Sequence, residues 1–313
     1  MAGKRKGTYK ITNWRKYNES LVQRGSITFW FRDDVIEHWH HGNDRPKVGH
    51  PFVYSDTAVE CLLTLRELLQ LPYRQTEGLA QSLAQLMEVD IPIPDYTSLA
   101  KRAAKNGSAL DVARRTGSID VVVDSTGLKV FGEGEWKMRK HGKGKRRTWR
   151  KLHLAVNPET QEIVAETLTE NGVHDADQVD DLLEQIDVPV DAFYGDGAYD
   201  QWKVYGTLET NTIRPIIPPR RNAKIKRHGN SGQPSLPRDQ AIREIRRKGR
   251  ASWKESVGYH RRSLSETAMH RMKCCFGNKL KNRLLENQRA EARVRSRILN
   301  HFTYLGLPQF EWH

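Results

Sequence analysis

The chain has 313 residues, with 52 Lys and Arg against 38 Asp and Glu and a formal net charge of +14. That length is a prior for two domains, and so large a positive excess points to a polyanionic partner. Hydrophobic residues make up 37%, enough for a core, while no apolar run approaches the ~18 residues of a membrane span and the three cysteines form no C-x-x-C pair, which excludes a disulfide framework and a zinc ribbon and fits a reducing cytoplasm.

The opening Met-Ala-Gly-Lys4-Arg5-Lys6 lacks the apolar stretch of a signal peptide. Residues 1–50 are mixed: Trp14, Tyr17, Phe29, Trp30, Phe31 and Trp39 read as core or partner surface, and His38, His40 and His41 as surface histidines rather than a metal site. From 54 to 105 the pattern is helical. Ser55 or Asp56 caps a helix carrying Val59, Leu62, Leu63, Leu68 and Leu69, and Pro72 ends it. A second helix runs from about Thr76 to Met87. After the break at 91–94, Asp95 caps a short third helix bearing Thr97, Ser98, Lys101 and Arg102. Two short helices and a polar, basic third fit a helix-turn-helix, and equally a plain helical bundle.

From 119 the period becomes that of strands. Ile119–Asp124 is an apolar run closed by a carboxylate, Leu152, Leu154 and Val156 alternate on a second strand, and 163–168 make a third. Asp175 to Ile186 reads as an amphipathic helix, Val190–Asp196 as a fourth strand, 199–209 as a helix and 214–217 as a fifth strand. That order predicts an α/β fold with a mixed sheet flanked by helices. Residues 218–257, rich in Pro, Gly, Arg and Lys, read as a basic insertion without packed elements. Two helices follow, the last at about 285–305. The expected division is a helical region over 1–110, a candidate for binding DNA, and an α/β domain over 111–313.

Three carboxylates stand out. Asp124 and Asp196 each close a strand, where open α/β sheets place ligand chemistry, and glycines flank Asp196. Farther on, Tyr259, Arg262, Glu266 and Lys273 are spaced 3, 4 and 7 apart, which on a helix makes one stripe, opposite Leu264, Ala268, Met272 and Cys275. Carboxylates from separate elements suit hard divalent cations, and Arg and Lys beside them suit phosphate. Nine Lys or Arg and no acid lie between Lys137 and Lys151, and eleven against two acids between Arg220 and Arg250. Such runs give salt-sensitive affinity for nucleic acid with little sequence preference. Within them Lys143, Lys145, Arg146 and Arg147 are DNA-binding candidates. Trp136, Trp149 and Trp253 border them; Trp149 reads as core, and Trp253 as a candidate to stack on an unpaired base.

The set Tyr259, Arg262, Glu266 and Lys273, with Gly258-Tyr-His-Arg-Arg-Ser-Leu-Ser-Glu266, Asp124-Ser-Thr-Gly-Leu-Lys, Trp149-Arg-Lys-Leu-His-Leu-Ala-Val and Gly195-Asp-Gly-Ala-Tyr-Asp200, resembles the signatures of DDE-type transposases of bacterial insertion sequences, and is closest to the fifth-named family of these elements. The resemblance spans nearly the whole chain. It implies an RNase H-like catalytic fold whose first and fourth strands are neighbours. It implies that Asp124, Asp196 and Glu266 bind divalent metal, two Mg²⁺ per site with Mn²⁺ able to substitute. It also implies cleavage at the element's terminal inverted repeats, transfer of the 3′-OH ends into target DNA, a homo-oligomeric synaptic complex and a nucleoid-associated, cytoplasmic bacterial setting. The rival readings are an RNase H-like nuclease without strand transfer and a non-enzymatic DNA-binding regulator.

Overall fold

The computed structural model describes residues 9–42, 51–105, 110, 112, 117–130, 149–227, 232 and 234–312. The chain divides into two compact units, one formed by 1–108 with 297–313 and the other by 109–296. The expected boundary at 110/111 places 297–313 with the catalytic domain; the observed division groups them with the N-terminal region.

In the first unit, β1 (Tyr9–Ile11) precedes α1 (Trp14–Gln23), α2 (Ile27–Trp30), α3 (Asp33–Glu37), α4 (Asp56–Leu68), α5 (Tyr73–Leu86) and α6 (Tyr96–Lys105). Ser55 is the cap of α4, its Oγ accepting the Ala58 amide at 3.1 Å, and the buried side of that helix is Ala58, Val59, Leu62, Leu63 and Leu65. Trp30, Phe31 and Trp39 join this core, with the Trp39 indole N–H donating to the Pro92 carbonyl at 2.8 Å, whereas Trp14 is exposed. The three histidines near Trp39 belong to no metal-ligating group among the described residues.

The second unit holds a six-stranded sheet. Its strands are β2 (Ile119–Val130), β3 (Trp149–Val156), β4 (Ile163–Glu170), β5 (Val190–Tyr194), β6 (Arg214–Ile216) and the short β7 (Lys279–Leu280). The order is β4-β3-β2-β5-β6, and β7 pairs with the far end of β2. β2, β3 and β4 are antiparallel neighbours; β5 lies parallel to β2, and β6 parallel to β5. Thus the first and fourth strands of the unit lie side by side, as an RNase H-like sheet requires. Helices flank it: α7 (Val179–Leu183), entered through a 3-10 turn at Asp175–Gln178, and α8 (Trp202–Thr210) pack Val179, Leu182, Val204, Tyr205 and Leu208 against Val121, Val123 and Phe193.

Two expectations need correction. β2 continues six residues past Asp124, so that carboxylate sits mid-strand instead of closing the strand. The polar residues Ser125 and Thr126 continue the ladder because backbone pairing, Ser125 with His153 and Thr126 with Leu152, does not require apolar side chains. The second correction concerns 218–257. It is not structureless: it contains α9 (Pro237–Lys248) and α10 (Arg250–Ser256). Pro237 starts α9 at a position where its missing N–H costs nothing, and Gly249, at φ 84°, ends it. The carboxylate of Asp239, fully buried, accepts the amides of Lys226 and Arg227 at 3.0 and 2.8 Å. Ile242 is the buried apolar residue of α9, too little to mark a helical face amid so many charges. The chain then passes through a 3-10 turn at Tyr259–Arg262 into α11 (Ser263–Phe276), and later into α12 (Leu285–Leu305) and β8 (Phe310–Trp312), the last paired with β1.

Candidate functional site

The side-by-side placement of β2 and β5 sets the first two carboxylates. Asp124 projects from the middle of β2, opposite Leu154 of β3, and its Oδ1 accepts the Ser125 amide at 2.8 Å. Asp196 lies two residues beyond β5. Its Oδ1 accepts the Ala198 amide at 2.8 Å and so caps the 3-10 turn Gly197–Tyr199. Gly195 precedes it for a steric reason: a Cβ there would lie 2.9 Å from the rings of both Phe193 and Tyr199. At Gly197 the nearest atom to a Cβ would be the Pro218 carbonyl at 3.8 Å, an ordinary van der Waals distance, so only the first of the two flanking glycines is demanded by packing.

Glu266 comes from the first turn of α11, which packs on the sheet through Ala268, Met269 and Met272. Tyr259 and Arg262 precede that helix in the 3-10 turn, so the expected single helical stripe begins at Ser263. The grouping survives the change. Arg262 donates to Glu266 Oε1 at 2.8 and 2.5 Å and reaches Asp124 Oδ2 at 3.5 Å. Lys273 donates to Thr126 Oγ1, two residues along β2 from Asp124, at 2.5 Å. One guanidinium therefore joins the β2 carboxylate to the α11 carboxylate.

Electrostatics place the third carboxylate in the same field. Burial pushes the Asp124 carboxyl above its usual range; the Ser125 amide and Arg262 oppose this, and the charges of Asp196 and Glu266 add to it. Burial also raises the Tyr259 phenol, with Arg262 pulling it down and Asp196, Asp124 and Glu266 pushing it up. The buried Tyr199 hydroxyl has no hydrogen-bond partner among the described residues; burial raises it first, then the charges of Asp175, Asp124 and Asp196. Among the described residues no three acidic, histidine or cysteine side chains converge closely enough to hold an ion as they stand. Arg262 occupies the position between two of the carboxylates. The donor set is nonetheless all oxygen, which suits a hard divalent cation. Glu266, with 59% of its side chain exposed, is free to exchange Arg262 for another positive charge.

A family profile described as "Transposase DDE domain" matches residues 115–302, more than half of the chain, and a second profile with the same description matches residues 22–133. The chain belongs to the DDE transposase family. It is accordingly a transposase, a metal-dependent enzyme of DNA cleavage and transfer whose family generally uses divalent ions. Among solved structures, a piggyBac transposase seen by cryo-EM in a synaptic complex with hairpin DNA is similar at 11% identity over 96% of this chain and 80% of that one, with a TM-score of 0.37. At that distance it adds nothing to the assignment. No helix among the described residues is long and apolar enough to cross a membrane.

The other sequence candidates in the transposase divide. Thr97 and Ser98 donate to the Asp95 carboxylate at the start of α6, the Ser98 bond being 2.7 Å, so their hydroxyls serve the cap. Arg102 is tied to the Tyr54 carbonyl at 3.0 Å and to Asp56 at 2.7 Å, with Phe52 beneath its guanidinium, and is a packing residue first. Lys101 is exposed. Lys143, Lys145, Arg146 and Arg147, with Trp136, lie outside the described residues. Trp253 is 3% exposed in α10; its ring is core and cannot stack on a base, which corrects the expectation from its polar neighbours. Trp149 is half-buried and packs beside Gly127, where a Cβ would lie 3.2 Å from its ring.

Residues that the sequence did not single out gather after Asp196. Trp202 is 43% exposed, with Lys226 Nζ 4.5 Å and Arg238 Cζ 4.9 Å from its ring centroid. It borders a hollow of about 260 Å³ lined also by Tyr205, Pro215, Arg227 and Leu236. Asp200 is buried among Arg238, the Arg220 amide and the Tyr205 hydroxyl. The only sequence signal for these was the motif ending in Asp200 itself.

Proposed function

We propose that this transposase cleaves DNA at the ends of an insertion sequence and joins the resulting 3′-OH ends to target DNA, with Asp124, Asp196 and Glu266 as the metal-binding carboxylates. The observation that carries the reading is the Arg262 guanidinium joining Asp124 to Glu266 beside Asp196, a charge arrangement that a divalent cation would complete. Two Mg²⁺ ions held there, or Mn²⁺ in their place, would supply activation of the attacking oxygen and stabilisation of the leaving one. The reaction is hydrolysis of a phosphodiester at the element's end, followed by attack of the freed 3′-OH on a target phosphodiester. The chain's own part is positioning and charge. Arg262, with its forked donors, suits a non-bridging phosphate oxygen once Glu266 turns away, and Lys273 adds a point charge at the β2 edge of the site. Tyr259, half-buried with a raised phenol, stays protonated and can donate its hydroxyl proton to a phosphate oxygen. Trp202, flanked by cations, takes over the base-stacking role that the burial of Trp253 denies it. Two ends and one target call for at least two copies of the chain in the reacting complex.

The test is strand transfer with the purified chain, duplexes carrying the element's terminal inverted repeats, and Mg²⁺. Joined products are expected. Nicking without joining would return the enzyme to the class of plain nucleases, and no metal-dependent product at all would leave a DNA-binding regulator.

Two expected results concern DNA affinity. Replacing Lys143, Lys145, Arg146 and Arg147 by Gln should flatten the plot of log affinity against log salt by up to about 0.9 for each phosphate left without its cation. An unchanged slope would remove this segment from the DNA path. Residues 54–105 are the candidate reader of the element ends, and Lys101 is one of its exposed basic residues, with Arg74 and Lys105. Lys101→Ala should weaken binding to element ends, whereas Arg102→Ala should lower the melting temperature by releasing Tyr54 and Asp56. If a protein lacking this region still separates end DNA from random DNA, the assignment is wrong.

A further inference from the structure

The turn that carries Asp196 is held at both of its ends by the basic segment that follows β6. Arg220 donates its Nε to the carbonyl of Gly197, the residue next to Asp196, at 3.3 Å, and its own amide to Asp200 Oδ2 at 2.8 Å. Arg238, from the first turn of α9, forks onto the same carboxylate, Nε to Oδ1 at 2.6 Å and Nη2 to Oδ2 at 2.9 Å. The Tyr205 hydroxyl donates to Oδ1 at 3.3 Å. The Asp200 side chain is fully buried. Burial alone would raise its carboxyl, but the Arg238 fork and the Arg220 amide outweigh that and hold it below the usual carboxylate range. Asp200 is therefore favoured in its ionised form, its carboxylate bonded to the basic segment and to the helix behind the turn.

The segment is braced in turn. Arg238 Nη1 donates to the Lys224 carbonyl at 3.3 Å, Arg243 Nη2 to the Arg227 carbonyl at 2.6 Å, and Asp239 accepts the amides of Lys226 and Arg227. The fork on Asp200 thus ties the self-stitched residues 220–227 and 234–248 to a five-residue turn whose first side chain is the Asp196 carboxylate and whose last is Asp200. A rigid partner behind a metal ligand fixes the ligand's direction, and losing such a partner typically costs about 10–100-fold in metal affinity.

We propose that Asp200 is a positioning residue: gripped by Arg238 and Arg220, it aims the Asp196 carboxylate, so that metal binding at the site depends on the docking of the basic segment. The inference rests on the assignment of Asp196 as a metal ligand. Asp200 touches neither metal nor DNA; it acts through the turn Gly197–Tyr199.

The experiment is DNA cleavage by the full chain as a function of Mg²⁺ concentration, with DNA binding measured separately without metal. Asp200→Asn should raise the half-saturating Mg²⁺ by about 10–100-fold, with most of the maximal rate recovered at saturating metal and DNA affinity unchanged. Arg238→Lys keeps the positive charge but not the fork, and Arg220→Ala keeps its amide on Asp200 but not the bond to Gly197. Each should shift the metal dependence in the same direction by less. Should Asp200→Asn fail to fold, these two carry the test, since both leave Asp200 paired. A lowered maximal rate with unchanged half-saturating Mg²⁺ in the folded variants is what a merely structural role gives, and overturns the proposal. Asp196→Asn is the control for the reading beneath it: cleavage by that protein removes Asp196 from the site, whereas an inactive Asp196→Asn beside an unshifted Asp200→Asn overturns only the positioning role.

Discussion

Replacing Asp124 or Asp196 by Asn, or Glu266 by Gln, is expected to abolish metal-dependent cleavage and strand transfer while leaving DNA binding intact. The amide is nearly isosteric with the carboxylate, so packing changes little, but the negative charge that attracts a divalent cation is gone. Asp124 adds a second, independent signature. Its carboxyl is raised in the folded chain, chiefly by burial and with help from Asp196 and Glu266. The folded state therefore holds that proton more tightly than the unfolded state does. Stability from this group is fully present below the unfolded value and is lost as pH rises through the raised folded value. At a pH above its unfolded value the Asp124 carboxyl is therefore a burden on the metal-free fold, and Asp124→Asn removes it. The metal-free variant should melt above the wild type at pH 7, the gap should close as pH falls from the raised folded value to the unfolded one, and added Mg²⁺ should raise only the wild type. Cleavage by the wild type should fall with pH as Asp124 takes up its proton. The contrasting outcome is informative: if Glu266 were only part of a solvated helix face, Glu266→Gln would cost a few tenths of a kcal/mol and leave activity near normal. Thermal melts and cleavage assays on the same preparations check both signatures.

Gly195→Ala is the second large effect. The added methyl meets the Phe193 and Tyr199 rings at 2.9 Å, and both rings are buried, so neither can swing into solvent. Overpacking of this kind costs about 1–3 kcal/mol. The functional loss should exceed the loss of stability, because the residue adjoins Asp196 and a misplacement of about 1 Å in a reacting group can cost on the order of 10²-fold in rate. Gly197→Ala, where the same methyl meets nothing closer than 3.8 Å, should behave near normally. Equal effects at the two glycines would mean that the turn's backbone, and not the ring packing behind it, sets the direction of Asp196.

Period and spacing reach only part of this site. Five of the six strands, all but the two-residue β7, and the shared face of Glu266 and Lys273 follow from them, because each depends on side chains repeating at regular intervals. The neighbouring of the first and fourth strands does not; it rests on the resemblance to DDE transposases, since strand order leaves no mark in a local pattern. The apolar run stops at Asp124 and so suggests a strand end there, although backbone pairing continues toward Val130. The helices α9 and α10 leave little trace because their buried sides are narrow, Ile242 in one and Trp253 in the other, while Arg and Lys fill much of the remainder. Trp253 shows the same limit from the other side: a tryptophan in a polar stretch reads as a surface ring, yet it is the anchor of its helix. The pairing of Asp200 with Arg238 is invisible because the two are 38 residues apart and neither belongs to a periodic pattern.

The pairing of β1 with β8 carries a consequence for synthesis. Tyr9, Lys10 and Ile11 find their strand partners in Trp312, Glu311 and Phe310, about three hundred residues later. A growing chain emerges at about 5–20 residues per second, so β1 waits for its ladder until the residues up to β8 have been made. The six-stranded sheet, by contrast, has every strand once residue 280 has left the ribosome. The unit containing β1 is thus completed after the sheet, and a chain cut short between β7 and β8 would hold the sheet without a closed first unit. Pulse-labelled nascent chains should resist protease over 149–216 before residues 9–42 do.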